Sequence, residues 1–210
     1  VFILVFGLSF VVANFDWIMS LEPIWYSTIF AVYGFSGMFL QGIAIVTISA
    51  IVLRHVGLLP EISKAQNHDL GKLLFAFSCF WAYIWLCQFM LIWYANIPEE
   101  TAPIRLMLNS KWTPLFYLNI ILNFGLPFVL LLQRKAKTNE FILIVACATL
   151  LVGHWLDLYL MVLPPVLKGA IPAFGFSELG GILLQFCLGH MACWPVFMKH
   201  VDPLQELPQH

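Results

Sequence analysis

Residues 141–163 read FILIVACATLLVGHWLDLYLMVL. The run is apolar from end to end except for His154 and Asp157, three residues apart near its middle. As a helix rising ~1.5 Å per residue, a stretch of this length crosses the ~30 Å hydrocarbon core of a bilayer. A carboxylate at that depth costs ~2.5–3.5 kcal/mol on insertion scales, so it is retained for a partner, a water path or a proton. Three-residue spacing puts His154 and Asp157 on one helix face. An Asp there would hold the imidazole in one tautomer or pass it a proton. The duller alternative is a satisfied polar pair that fixes helix packing.

The rest of the chain repeats the pattern. Spans are expected at 27–53, 72–95, 112–133, 141–163 and 177–198, with the end of a sixth at 1–13. Residues 1–13 have no basic flank and no small-residue cleavage site, so they read as the tail of a span and not as a signal peptide. The chain is accordingly expected to be a fragment of a longer protein. Apolar residues make up 61% and charged residues 10%, against about 45–50% and 25% in soluble domains. Strand-like alternation is absent, and the runs are too long for barrel strands. The expectation is an all-α integral membrane protein, one polytopic transmembrane helix bundle over 1–210, with no linker and no soluble domain. A net charge of −1 gives no reason to expect a nucleic-acid partner.

Alternating spans sort the basic residues onto two sides. Arg54, Lys64, Lys72, Arg134, Lys135, Lys137 and Lys199 fall on one side with the C-terminus, and only Arg105, Lys111 and Lys168 on the other. The richer side is expected to be cytoplasmic. The segments at 14–26, 96–111 and 164–176 then face outward as short Pro-containing caps, bordered by Trp17, Trp25, Trp93, Tyr94 and Trp112 as an aromatic belt.

Other polar groups extend the picture. Glu178 opens the last span, and Gln185 follows seven residues later on the same face. Glu178 either favours the positive end of its helix or continues a polar route from outside toward Asp157. Asn119 and Asn123, four apart, read first as hydrogen-bonding glue between helices. A haem would need facing imidazoles at equal depth, and His154 and His190 differ by roughly 6 Å at ~1.5 Å per residue. The five cysteines lie inside apolar runs without a C-x-x-C pair and read as packing residues. Gly34, Gly37, Gln41 and Ala44 form a stripe that lets a neighbouring helix approach closely.

Two longer stretches are more specific than these features. One is DWIMSLEP at 16–23, followed by Trp25 and by STIF at 27–30. The other is HDLGKLLFAF at 68–77, running on through FWAY at 80–83, Gln88, MLIWY at 90–94 and PEET at 98–101. Together they resemble the ActF subunits of bacterial alternative complex III, members of the NrfD/PsrC-like membrane family. The resemblance covers most of the chain and corresponds to the later half of such a subunit. It implies a multi-pass subunit of a respiratory quinol:electron-acceptor oxidoreductase in the bacterial inner membrane. Such a subunit holds no redox cofactor of its own and is structural, with a proton-conducting role proposed for it. The implied partners are lipids, an ActC-like quinol-binding subunit, subunits bearing haem c and iron–sulfur clusters, and, as electron acceptor, a periplasmic cytochrome c or a terminal oxidase. A quinone would lie nearby.

On this reading His154, Asp157, Glu178 and Gln185 are the proton-path candidates. Asp16, Glu22, Glu99 and Glu100, on the outward segments, are the candidates for contact with peripheral subunits. No catalytic residue and no metal ligand is expected in the chain. The residues alone leave open a direct quinone-binding anchor and a secondary transporter, although no internal repeat is visible and Pro127 is the one sign of a broken helix.

Overall fold

The computed structural model describes residues 1–22, 25–58, 64–108, 111–167 and 180–181. The span expected at 177–198, with Glu178, Gln185 and His190, lies outside the described residues except for Gly180 and Gly181. Five helices are long and apolar enough to cross a membrane: Phe2–Leu21, Phe30–Val56, Ala65–Ala95, Thr113–Leu132 and Glu140–Leu167. No strand occurs among the described residues. The chain is an all-α polytopic bundle, a multi-pass membrane protein by length and composition.

Helix α1 (Phe2–Trp17) is apolar all round and largely exposed; Asn14 is its one buried residue. The helix runs past residue 13, so Asn14 and Asp16 sit in its last turns and not in a loop. Helix α2 (Phe30–Val56) is the central element, with Leu40, Ala44 and Ile51 fully buried. It stops at Gly57, whose φ of 84° is left-handed. The Gly57 N–H donates to Arg54 O and the Leu58 N–H to Leu53 O, which serves the last carbonyls of the helix.

Helix α3 (Lys64–Ala95) begins well before residue 72, so His68 and Asp69 are helical. The 96–111 segment folds into α4 (Pro98–Leu108), with Glu99 and Glu100 in its first turn and Arg105 in its last. That arrangement suits the helix dipole at both ends. Asn96, at φ 48°, makes the turn between α3 and α4.

The span expected at 112–133 is interrupted. Helix α5 (Thr113–Ile120) passes into a π-helical turn over Ile121–Gly125 and resumes as α6 (Leu126–Leu132). Pro127 explains the interruption. In α geometry its missing N–H would have served the carbonyl of Asn123. The Ser78 hydroxyl, on α3, donates to that carbonyl instead at 2.6 Å. A freed backbone acceptor at membrane depth is thus satisfied by a neighbouring helix.

Helix α7 (Glu140–Leu167) carries His154 and Asp157, both buried. Asn139 Oδ1 accepts from the Phe141 N–H at 3.0 Å and caps its start. Residues 164–167, expected in a loop, continue the helix. The main core lies between α2, α3, α6 and α7, around Leu40, Ile51, Leu74, Trp81, Leu131, Leu143 and Leu150. Gly153 brings α7 against the π-turn: a Cβ there would stand 2.6 Å from Asn123 Oδ1 and 3.0 Å from Leu122 Cβ. At the end of the bundle expected to face the cytoplasm, Glu140 pairs with Arg54, lies 2.9 Å from His55 Nε2, and accepts a long bond from Asn67 Nδ2 at 3.5 Å. These contacts tie α2, α3 and α7 together.

Gly153→Val should lower the stability of the solubilised protein by ~1–3 kcal/mol, because the new side chain would overlap the Asn123 amide and Leu122 Cβ. Thermal unfolding in detergent checks this. Gly42→Ala, where nothing lies within 4 Å of an added Cβ, should leave the stability unchanged or raise it by up to ~1 kcal/mol, because alanine is the better helix former.

Candidate functional site

The site is built around Asp157, in the middle of α7. Its carboxylate is buried, and Oδ1 accepts two hydrogen bonds: from the Tyr33 hydroxyl at 2.5 Å and from Asn119 Nδ2 at 2.7 Å. Tyr33 comes from α2 and Asn119 from α5, so a single oxygen joins three helices. Asn123 extends the network by donating from Nδ2 to Asn119 Oδ1 at 2.6 Å and to Asn119 O at 3.2 Å. The Asn119 amide has one oxygen and one NH2 group. With its oxygen engaged by Asn123, the NH2 is turned toward Asp157. The indole N–H of Trp81 is near enough to act on the carboxylate, but it makes no hydrogen bond of ordinary geometry.

His154 is placed differently from the expectation. It is 2% exposed and shares the inward face with Asp157, yet neither ring nitrogen has a hydrogen-bond partner among the described residues. No hydrogen bond joins it to Asp157, whose Oδ1 is already taken by Tyr33 and Asn119. The imidazole meets the Trp81 ring edge-on, with centroids 5.7 Å apart. It also faces the bare backbone of Gly37, where a Cβ would lie 3.5 Å from Nδ1. The tautomer-fixing role expected of Asp157 toward His154 is therefore absent from this arrangement.

Two cavities reach Asp157 and Tyr33. One, of about 160 Å³, extends toward the end of the bundle that carries Glu22 and Glu100. Its walls are mainly apolar and aromatic, with Trp25, Phe30, Trp85, Phe89 and Phe116, and with Gln88 and Asn119 among its few polar groups. The second, of about 310 Å³, lies between α1, α2 and α7 and is lined by Asn14, Gly34, Gly37, Gln41 and His154 as well as by Tyr33 and Asp157. The small residues of the α2 stripe serve both purposes here. Gly34 admits the Asn14 side chain, whose Oδ1 would be only 2.3 Å from an added Cβ. Gly37 leaves space beside the imidazole.

Of the sequence candidates, the structure brings together Asp157 and His154 on one face, and Asp157, Glu22 and Glu100 on one cavity. Asp16 and Glu99 are exposed and line neither cavity. Tyr33, Trp81 and Ser78 were not anticipated. Asn119 meets the expectation of hydrogen-bonding glue between helices through its bond to Asp157, and Asn123 orients it. Among the described residues no cluster of His, Cys, Asp or Glu is able to hold a metal ion. No protein-family model matches the chain, and no curated protein matches it.

A double-mutant cycle tests the central bond. Tyr33→Phe and Asp157→Asn should each destabilise the protein, with a coupling of about 0.6–1.7 kcal/mol, the range measured for hydrogen bonds between membrane helices. Strictly additive effects on unfolding in detergent would show that the two groups do not interact.

Proposed function

We propose that this chain is a proton-transferring membrane subunit of a quinol-oxidising electron-transfer complex, with Asp157 as the group that takes up and releases the proton. The observation that carries this reading is the position of Asp157. It is a buried, hydrogen-bonded carboxylate at the place where two separate cavities meet. One cavity runs from it toward Glu22 and Glu100, at the end the distribution of Lys and Arg assigns to the outside. The other opens on the His154 side. A carboxyl group that open space reaches from two directions is placed where a proton relay across a low-dielectric barrier would need it. The Tyr33 hydroxyl and the Asn119 amide hold the group in place. Tyr33, itself a hydroxyl that both donates and accepts, is the natural neighbour through which a proton would pass.

The wider assignment rests on the resemblance to the ActF subunits of alternative complex III. It supplies the chemical reason for a path of this kind, because oxidising a quinol releases protons. The subunit would sit in a bacterial inner membrane with its C-terminus cytoplasmic. It would stand beside an ActC-like quinol-binding subunit, subunits bearing haem c and iron–sulfur clusters, and a terminal oxidase. Asp16 and Glu99, exposed at the end of the bundle away from Glu140, would be available to those peripheral subunits.

The aromatic lining of the smaller cavity favours a second reading, direct quinone binding. Rings of Trp25, Phe30, Trp85, Phe89 and Phe116 would cover a quinone head, with Gln88 and Asn119 within the walls as polar contacts. Quinone extracted from the purified chain, and lost on Phe116→Ala, would establish it.

The proton reading is tested on the native complex reconstituted in liposomes. Asp157→Asn keeps the size of the side chain and removes its titratable proton. Proton release driven by quinol oxidation should slow by ~10²-fold or more, the ordinary cost of losing a positioned acid–base group, with haem content and assembly unchanged. Wild-type proton release in that variant would reject the assignment.

A further inference from the structure

We propose that the chamber between α1, α2 and α7 is a built water site, its water cluster hydrogen-bonded to His154 and continuous with Asp157. A neutral histidine carries one N–H donor and one acceptor nitrogen. Both nitrogens of His154 are buried and neither has a partner among the described residues. Leaving a buried polar group unsatisfied costs ~1–3 kcal/mol, so a position that orphans a donor and an acceptor together calls for a guest that supplies both functions. The two ring nitrogens point in divergent directions, so two waters supply them, one accepting from the N–H and one donating to the other nitrogen.

The surroundings fit that guest. The chamber has a volume of about 310 Å³, well above the ~10–15 Å³ at which a polar cavity accepts a water. Its wall offers further hydrogen-bonding groups: the Gln41 amide, the Asn14 amide, the Tyr33 hydroxyl and the Asp157 carboxylate. The Asn14 amide is already anchored through Nδ2 to Phe10 O at 2.9 Å. Buried waters need about two to four polar partners each, and a cluster spanning His154, Gln41 and Asp157 meets that need. Gly37 contributes by lacking a side chain on the α2 wall beside the imidazole, whereas the room at Gly34 is taken by the Asn14 side chain. The smaller cavity differs in kind. Its walls are dominated by rings and aliphatic chains, and no buried imidazole opens into it.

In this arrangement His154 is a positioning residue. It orders the water that links the chamber to Asp157 and need not itself be protonated. Use of the cluster for proton transfer rests on the function proposed above, whereas the presence of the water does not.

Hydroxyl-radical labelling by X-ray radiolysis tests the hydration directly, because radicals form from water within contact of the side chain they oxidise. The full chain in lipid nanodiscs is irradiated in H2¹⁸O. His154 and Met161, which lines both cavities, should take up ¹⁸O despite their place inside the bundle, and so should Phe10, which lines the chamber and not the smaller cavity. In His154→Phe, labelling of Met161 should fall severalfold, while the exposed Tyr26 is labelled as before. His154→Gln, which keeps a donor and an acceptor, should restore it. Absence of label on His154 and Phe10 in the wild-type chain, or unchanged Met161 labelling in His154→Phe, would overturn the proposal; an acyl chain filling the chamber would give the former result. The readout needs no quinol turnover, so it stands or falls separately from the proton-release measurement on Asp157→Asn.

Discussion

Three helices meet at one oxygen atom. Tyr33 from α2 and Asn119 from α5 both donate to Asp157 Oδ1 on α7, and the rest of the site follows from satisfying that carboxylate. In lipid an unsatisfied polar group has no water to fall back on. The cost of Asp157 is met only if its neighbours are held where they are. Asn123 turns the Asn119 amide the right way, Ser78 compensates the carbonyl that Pro127 leaves without a backbone donor, and Gly153 lets α7 come close enough for the π-turn to lie beside it. Asn123 Oδ1, pressed against Gly153 without a hydrogen bond, is the point where this arrangement is tightest.

The fold was legible because the physics of spanning a bilayer is written along the sequence. Long uncharged runs mean helices of a fixed minimum length. What those runs conceal is how they end and where they break. Helix α3 starts at Lys64 because polar residues such as Gln66, Asn67 and Asp69 continue a helix beyond the apolar boundary. The 112–133 run is split because a proline and a ring of partners on other helices impose a π-turn that hydropathy does not register. Residues 96–111 looked like a loop because helix α4 is not strongly apolar; its turn-and-cap chemistry at Asn96, Glu99 and Glu100 was the available signal.

The site was legible only in part, and for a related reason. Asp157 and His154 stood out because they are polar against an apolar background. Tyr33 did not, since a tyrosine in a membrane span is indistinguishable by composition from an interfacial or core ring. It lies 124 residues away in sequence from the carboxylate it bonds. Asn119 and Asn123 were visible as a pair on one face, but helical spacing does not say which neighbouring helix they address. The expected His154–Asp157 pair was a spacing argument, and spacing yields a shared face without a bond. What separates the two residues in use is their partners: Asp157 is taken up by side chains, and His154 faces space.

The account therefore turns on whether Asp157 changes protonation as electrons move through the complex. Redox-induced infrared difference spectra of the native complex, recorded on wild type and on Asp157→Asn, measure this most directly. A band from a protonated carboxyl group that appears or disappears with quinol oxidation, and is missing in Asp157→Asn, is the predicted result. A carboxyl region that stays silent through turnover in the wild-type complex would contradict the account and leave the carboxylate as a structural tie between helices.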